Sequence, residues 1–522
     1  MIFVWLSPFS FVPVPWPDDS AFYFVAKSLF HWPPRYVMLA QAPFEPSYGI
    51  FNFNSMPLFP TLIGLGRWIG IDGSFGIKFW SLLGWALSGF FLLNTLRKKG
   101  LPDYGLILIA LAFSADPILR WGAVIVRPES LIGLCGMLLV LGLTFGFPKR
   151  WRPRIIWDPI SVLFAIAAYL HFNAIHLVLP VLLTFISAPR RLVAIGLKTL
   201  LYLSPWIVIA LSKWDIFTLQ MHLQWSRLAV RNDWLDSPTK ALAALFESMG
   251  SPEPWSPLAQ WASALIWMLI ILALIKGLIF PSLEWLHRQV VQKAEQSSYS
   301  EISLVPAAAW ILSACVLWDA KPEVWFTYYI HLSVWCFAGV FAVKTYRERR
   351  VFVPLGILIT AIVCLFFTVN LTQLFGLSQG TSWRWSTYRE FVDCVDQAVT
   401  QIESRIASPK PFRVWCPTFP DITVELSRRH PSWILTRTND FWDRQDLAIE
   451  HGKQVEAVVV TETINWEERN ISSPQSDHPE IQSTWLTWKD YFLNRLWVDM
   501  TWKPKRYLCQ KGRWQGFIFS DR

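Results

Sequence analysis

Residues 75–99 read FGIKFWSLLGWALSGFFLLNTLRKK, an apolar stretch that ends in three consecutive basic residues. A helix of about 20 apolar residues is long enough to cross the hydrocarbon core of a bilayer. We therefore predict a membrane-spanning helix over 75–96. Basic residues accumulate on the cytoplasmic side of a membrane, so we expect residues 97–99 to lie there.

Stretches of the same kind recur along the first 370 residues. The chain has 522 residues, of which 53% are hydrophobic and 16% are charged, whereas soluble domains carry about 25% charged residues. This composition excludes a disordered chain, a coiled coil and an ordinary soluble enzyme. We predict an α-helical polytopic membrane bundle with eleven spans, at 1–15, 75–96, 104–119, 130–147, 155–170, 173–187, 192–212, 259–280, 303–318, 325–343 and 351–370.

The basic residues orient this bundle. Five clusters follow alternate spans and all fall on one side, at 97–99, 149–154, 190–191, 288–293 and 344–350. In the short loops on the opposite side, the only arginine or lysine residues are Arg120, Arg127 and Lys321. The clusters are therefore predicted to be cytoplasmic, which leaves 16–74, 213–258 and 371–522 outside. They also account for the net charge of +9, so no nucleic-acid partner is expected.

The predicted outer segments differ in character. Residues 57–70 (PLFPTLIGLGRWIG) are apolar but short and are interrupted by Arg67, so we interpret them as a helix lying at the outer interface. The tail, 371–522, is polar, with apolar stretches of only four to six residues. Strands are predicted at 412–416, 432–435 and 456–460, and short helices at 420–430 and 443–451. This alternation indicates a small α/β domain.

Two adjacent carboxylates follow the first span, in the segment Pro17-Asp18-Asp19-Ser20. One interpretation is an N-cap for a helix that begins near Ser20. The other is a general base for an acceptor hydroxyl or amine. Both can hold, because adjacent side chains on a helix point about 100° apart. The pair does not form a DxD motif, so it does not support a metal site for a nucleotide sugar.

A second candidate is the turn Arg127-Pro128-Glu129 before the fourth span. Proline suits the first turn of a helix and a carboxylate suits its positive end, which gives a purely structural interpretation. In the functional interpretation, the Arg127 guanidinium holds a phosphate or orients a carboxylate through paired hydrogen bonds.

Other polar residues occur in the predicted outer turns. His171 and His176 are five positions apart, which is not the i, i+4 spacing of a helical metal pair, so we expect capping and interface packing there. Lys321 can meet a phosphate, whereas the aromatic run through Tyr328 is also typical of an interfacial belt. The seven cysteines include no CxxC pair, so neither a zinc site nor a disulfide framework is indicated.

At these residues the chain resembles the GT-C superfamily of integral-membrane glycosyltransferases, specifically the bacterial protein-mannosyltransferase and aminoarabinose-transferase type. The resemblance rests on the acidic motif at 17–23, the P-x-x-P core at 57–60, the basic helix end at 97–99 and the turn at 127–129. It covers 1–370, most specifically 16–130, and the tail matches the C-terminal outer domain of such proteins. The chain departs from the pattern in its curtailed first helix, and in having Asp-Asp where some branches have Asp-Glu.

The resemblance implies a GT-C-like transmembrane domain over 1–370 and an extracytoplasmic α/β domain over 371–522, in a bacterial inner membrane. Such enzymes move a sugar from a polyprenyl-phosphate donor to an acceptor outside, and the acceptor can be a glycan, a lipid or a protein. Some members use a divalent metal and others do not, and no metal ligand is assigned here. The tail is expected to be accessory. The implied site residues are Asp19 or Asp18 as base, Arg127, Lys321 and Arg35 as phosphate ligands, and Glu129, Tyr23, His171 and Tyr328 in support.

Two other functions compete. A coupled transporter keeps ionisable residues at mid-membrane, whereas Lys78, Asp116, Lys198 and Lys276 lie near predicted span ends. A lipid-linked glycan ligase or polymerase would also place arginine and histidine on outer loops, but it would not need the early aspartate pair.

Overall fold

The computed structural model of the chain is mostly helical. It describes residues 17–40, 42, 46–124, 126–148, 157–229, 256–282, 302–320, 324–348, 354–366, 385–406, 411–416, 422–436, 454–463, 505–511 and 514–520. The predicted first span (1–15), Lys321 and the predicted helix at 443–451 lie outside these residues.

The longer helices of the first 370 residues are labelled in chain order. They are α1 (Pro17–Leu29), α2 (Leu58–Trp68), α3 (Phe79–Lys98), α4 (Asp103–Ala115), α5 (Pro117–Val124), α6 (Glu129–Phe145), α7 (Pro159–Leu170), α8 (Val178–Thr184), α9 (Pro189–Ser212), α10 (Trp214–Ala229), α11 (Ser256–Leu274), α12 (Val305–Ala320), α13 (Val324–Arg347) and α14 (Pro354–Phe366). The α2 helix occupies the segment predicted to lie at the outer interface.

Three helices among the described residues are long and apolar enough to cross a bilayer, at Phe79–Lys98, Pro189–Ser212 and Ala264–Ser282. Six shorter apolar helices of 10–17 residues accompany them. The number of spans, eleven, therefore stays a prediction.

One predicted span, 104–119, is interrupted at Asp116. The α4 helix ends at Ala115, Asp116 is extended, and α5 begins at Pro117. Proline lacks the N–H that a continuing helix would need and disfavours a helical residue before it. The predicted span at 173–187 is also irregular, because a 3₁₀ turn over Phe172–Leu177 precedes α8.

Side-chain contacts show which helix ends lie together. At one end of the bundle, Lys99 Nζ donates to the Phe145 carbonyl at 3.3 Å and Arg347 Nη2 donates to the Lys99 carbonyl at 3.0 Å. At the opposite end, Ser81 Oγ donates to the Arg127 carbonyl at 2.9 Å. Basic residues from two of the clusters predicted to be cytoplasmic therefore share one end, and the candidate turn 127–129 lies at the other. We call this second end the site end.

Close helix packing supports the site end. Gly84 of α3 faces the backbone of α6 so closely that a Cβ atom there would lie 2.7 Å from the Ser130 carbonyl carbon. Small residues permit such approaches in membrane bundles. The contact brings the N-terminal part of α3 against the start of α6, next to the candidate arginine.

The described residues of the tail form a five-stranded mixed sheet and two helices. The strands are β1 (Arg413–Trp415), β2 (Ile434–Thr436), β3 (Ala457–Thr463), β4 (Lys505–Lys511) and β5 (Trp514–Ser520), in the order β2-β1-β3-β5-β4. β1 is parallel to β2 and β3, whereas β5 is antiparallel to β3 and β4. The helices are α15 (Trp385–Arg405) and α16 (Thr423–Arg429). The three predicted strands and the helix predicted at 420–430 are confirmed, whereas α15 and the β4–β5 hairpin were not predicted.

The tail also contains a disulfide that the cysteine spacing did not indicate. Cys394 of α15 is bonded to Cys509 of β4 across 115 residues of sequence. The fold of the sheet brings the two cysteines together, so no local motif could reveal the pair.

Candidate functional site

Arg127 and Glu129 form an ion pair at the site end, with 3.3 Å between Nε and Oε1. The Glu129 side chain is 1% exposed and that of Arg127 is 12% exposed. Glu129 lies in the first turn of α6, as predicted, whereas Pro128, which was predicted within that turn, is the N-cap just before it. Burying a charge is costly unless an opposite charge accompanies it, so Glu129 helps to retain a guanidinium inside the protein.

Ser81 fixes the backbone of this turn. Its hydroxyl donates to the Arg127 carbonyl at 2.9 Å and accepts from the Arg127 N–H at 3.3 Å. Ser81 is fully buried in the first turn of α3. Both backbone groups of Arg127 are thus satisfied by one side chain, which holds the turn against α3.

The α13 helix adds buried tyrosines to the site end. Tyr328 fills space left by Gly122 and Gly133, where an added Cβ would approach its ring atoms to 2.3 Å and 3.1 Å. Tyr328 also lies within electrostatic range of Asp116 and of Glu129. Its hydroxyl makes no hydrogen bond among the described residues.

The neighbouring Tyr329 packs against His176, with 4.3 Å between ring centroids. His176 is buried and its Nδ1 contacts the Asn173 carbonyl at 2.5 Å. His171 caps the 3₁₀ turn by accepting from the Asn173 N–H at 3.1 Å. The predicted capping is observed for His171 and packing for His176, whereas the supporting role of His171 in a site stays a prediction. Among the described residues no three histidine, cysteine or acidic side chains are grouped to hold a metal.

A second buried polar group surrounds Asp116, which sequence reasoning did not single out. Its Oδ1 accepts from the Ile118 and Leu119 N–H groups at 2.9 and 3.2 Å. Its Oδ2 contacts His331 Nδ1 at 2.6 Å and accepts from Trp335 Nε1 at 2.8 Å. The signals were an Asp-Pro break in an apolar stretch and a His–Trp pair four positions apart. Neither reveals its partner.

Burial also lowers the pKa of a nearby arginine. Arg120 lies on α5, one turn after Asp116. Removal from water disfavours the charged guanidinium and lowers the pKa of Arg120 to about 10. Arg120 stays protonated at neutral pH, so it contributes a second positive charge at the site end.

Tyr23 belongs to a different cluster. Its ring lies under the Arg67 guanidinium, with 4.6 Å between Cζ and the ring centroid, and Arg67 Nε pairs with Asp72 Oδ1 at 3.1 Å. Burial raises the pKa of Tyr23 to about 12, although Arg67 acts in the opposite direction. Burial and then the Arg67 charge lower the pKa of Lys27, one turn further along α1.

The remaining predicted residues are placed as follows. Asp18 and Asp19 lie in the first turn of α1, which begins at Pro17 rather than near Ser20. Proline is favoured in a first turn, which explains the earlier start. The side chains of both aspartates, and all of Lys321, lie outside what the structure describes. Arg35 is exposed on the loop after α1.

Comparisons with known proteins were made by family, by sequence and by structure, and the structure search found similar chains. No family model matches the chain, and no curated protein matches its sequence. A crystal structure of ArnT from Cupriavidus metallidurans bound to undecaprenyl phosphate is similar, with TM-score 0.49 and 11% identity, covering 99% of this chain and 96% of that one. The apo structure of the same ArnT gives TM-score 0.41 and 11% identity over the same shares. At this identity the likeness concerns the fold alone, and it assigns no substrate or active residue to this chain.

Proposed function

We propose that the chain is a membrane glycosyltransferase that moves a sugar from a polyprenyl-phosphate donor to an acceptor on the extracytoplasmic side. The observation that carries this proposal is the buried Arg127–Glu129 pair at the site end. Sugar transfer from a lipid phosphate leaves negative charge on the departing phosphate. A guanidinium held in a poorly hydrated site stabilises such charge strongly.

In the proposed reaction, Asp19 or Asp18 accepts the proton of the acceptor hydroxyl or amine as the sugar is transferred. Arg127 binds the phosphate, and Glu129 orients Arg127. Lys321 and Arg35 remain proposed additional phosphate ligands, and Tyr328, which lies close to Glu129, is proposed to shape the pocket for the donor head group. The acceptor remains open among a glycan, a lipid and a protein.

The proposed sidedness has support that is independent of the basic clusters. Disulfides persist in oxidising compartments and are rare in the cytosol, and the tail carries the Cys394–Cys509 bond. The basic clusters and the disulfide both favour an extracytoplasmic tail. The proposed location of the protein is a bacterial inner membrane. Reporter fusions within 149–154 and after residue 522 test this, because the first should be active only in the cytoplasm and the second only outside. A cytoplasmic tail would overturn the topology and the site together.

The activity is tested with purified protein in nanodiscs and a radiolabelled polyprenyl-phosphate sugar. Arg127→Met should reduce transfer by about 10²-fold, the effect of losing one preorganised charge-stabilising group. Because this variant removes the Arg127 charge that pairs with buried Glu129, Arg127→Met/Glu129→Gln provides a second test that removes both charges. Arg347→Met removes a comparable cation at the opposite end and should retain activity. Full transfer by the double variant would refute the proposed site.

A transporter is the second candidate, because the structure buries Asp116 and His331 in contact inside the bundle. Coupled transporters use such intramembrane ionisable pairs. Proteoliposomes separate the two functions. A transferase consumes the lipid-linked sugar without any gradient, whereas a transporter moves a solute and leaves the lipid donor intact.

A further inference from the structure

The tail reaches back to the segment that carries the acidic pair. The first five residues of α16 are buried, with Thr423, Val424 and Leu426 at 0% exposure and Ser427 at 3%. Lys27 Nζ of α1 donates to Ser427 Oγ at 2.7 Å, across 400 residues of sequence. A short helix of the tail thus packs against the first outer helix.

The contacted face of α1 is the face that includes position 19. Side chains four positions apart lie on the same side of a helix. Tyr23 and Lys27 are such a pair. Both face α16, because Lys27 donates to Ser427 and because Ser427 and Glu425 are close enough to Tyr23 to influence its pKa. Position 19 lies one turn before Tyr23 on this face, whereas position 18 is rotated away by about 100°.

The loop after α2 completes the enclosure. Gly73 has φ +79° and fits so closely under the tail that an added Cβ would lie 3.3 Å from Glu425 Oε1. Its N–H donates to Asp72 Oδ1 at 2.8 Å, and Asp72 also pairs with Arg67. The ring of Tyr23 is therefore enclosed by α2, the 72–73 loop and α16.

The α16 helix is itself held firmly within the tail. Arg429 pairs with Asp393 at 2.6 Å and with Asp396 at 2.9 Å, and His430 Nε2 contacts Asp396 at 2.5 Å. These carboxylates lie on α15, which is fixed to the sheet by the disulfide at Cys394. Ser427 is consequently presented to α1 from a rigid support.

We propose that α16 positions α1 for catalysis, with Ser427 and Lys27 as positioning residues, so that the tail is required for transfer and is not merely accessory. The inference rests on the proposed function. A general base must be held close to the proton that it accepts, and small displacements of a reacting group reduce the rate strongly. The Lys27–Ser427 bond restrains α1 two turns from Asp19, on the same face.

The test compares serine variants of the tail in the full-length protein. Ser427→Ala removes the acceptor for Lys27, Ser427→Thr retains a hydroxyl, and Ser404→Ala is the matched control. Ser404 is exposed on α15 and its hydroxyl donates only to the Gln401 carbonyl, at 2.9 Å. Steady-state transfer gives kcat and the KM for the polyprenyl-phosphate sugar, and hydrogen exchange reports the protection of 17–29.

For Ser427→Ala we expect kcat to fall by about tenfold, within the range for a misplaced reacting group, while the donor KM stays unchanged. Exchange in 17–29 should become faster. Ser427→Thr should restore kcat, and Ser404→Ala should behave as the unmodified protein. If Ser427→Ala changes neither kcat nor exchange, or changes exchange alone, the inference is overturned while an active unmodified protein still upholds the proposed function. An unmodified protein without transfer activity overturns both.

Discussion

The carboxylate of Asp116 offers a sharp test of the buried polar structure, because it accepts four hydrogen bonds. Oδ1 accepts hydrogen bonds from the Ile118 and Leu119 N–H groups, and Oδ2 accepts them from His331 Nδ1 and Trp335 Nε1. Asp116→Asn retains the shape but replaces one acceptor oxygen with a donor NH₂. The remaining oxygen can serve either the helix cap or the two rings.

The magnitude follows from what each ring can do. If the asparagine oxygen keeps the cap, its NH₂ faces both rings. The imidazole of His331 can change tautomer and accept, whereas the indole of Trp335 is a donor only. Its N–H, 2.8 Å from the former Oδ2, then faces another donor. A buried unsatisfied donor costs about 1–3 kcal/mol, so Asp116→Asn should lower the free energy of unfolding by at least that amount.

A double-mutant cycle isolates the energy of the hydrogen bond between Asp116 and Trp335. Trp335→Phe removes the indole N–H, so it should cost less in the Asp116→Asn background than in the unmodified protein, with a coupling of about 1 kcal/mol or more. The measurement is reversible unfolding in mixed detergent micelles. Asp103→Asn, an exposed position in the first turn of α4, is the matched control and should stay within about 0.5 kcal/mol. Additive effects of Asp116→Asn and Trp335→Phe would refute the geometry.

Three further predictions concern the proposed site and the tail. One of Asp18→Asn and Asp19→Asn should reduce transfer by about 10²–10⁴-fold at normal membrane expression, whereas the other should have a mild effect. We favour Asp19 as the sensitive position. Two fully active variants in the radiolabel assay would contradict the assignment. Cys509→Ser should destabilise the tail by about 4–5 kcal/mol, because the Cys394–Cys509 bond closes a loop of 115 residues, and limited proteolysis with and without reductant measures this loss; equal protease resistance would count against it. Removing 380–522 should impair transfer and acceptor choice more than donor binding, measured by retention of labelled lipid donor, and loss of donor binding by an intact bundle would show that the tail forms part of the donor site.

The sequence predicts those features that depend on neighbouring residues. Apolar stretches mark α3 and α9, and short apolar stretches between polar ones mark the three tail strands, because periodicity and length are local properties. The turn at Pro128 was also predictable, since proline and an acidic residue in a first turn are local signals. The helix α15 was missed because it is polar on one side and lacks a continuous apolar run.

Contacts between distant segments could not be predicted in the same way. Asp116 and His331 are 215 positions apart, and Lys27 and Ser427 are 400 apart. Each of these residues, taken alone, is compatible with a helix end or a surface position. The local sequence around it therefore gives no indication of its partner. The Asp-Pro sequence at 116–117 is a local signal for a helix break. The structural role of Asp116, however, depends on a histidine and a tryptophan from α13.

The positions of these distant pairs explain how a largely apolar bundle can hold a defined site. In lipid, apolar helix surfaces have little preference for one neighbour over another, so close packing and polar contacts must set how helices are rotated. Here Ser81 fixes the turn at Arg127 to α3, Asp116 fixes α5 to α13, and Lys27 fixes α1 to α16. Each contact involves an element that carries a proposed site residue or its support. The polar residues that specify the arrangement of helices therefore also set the distances on which the proposed chemistry depends, and variants at these three contacts should alter transfer rates as well as stability.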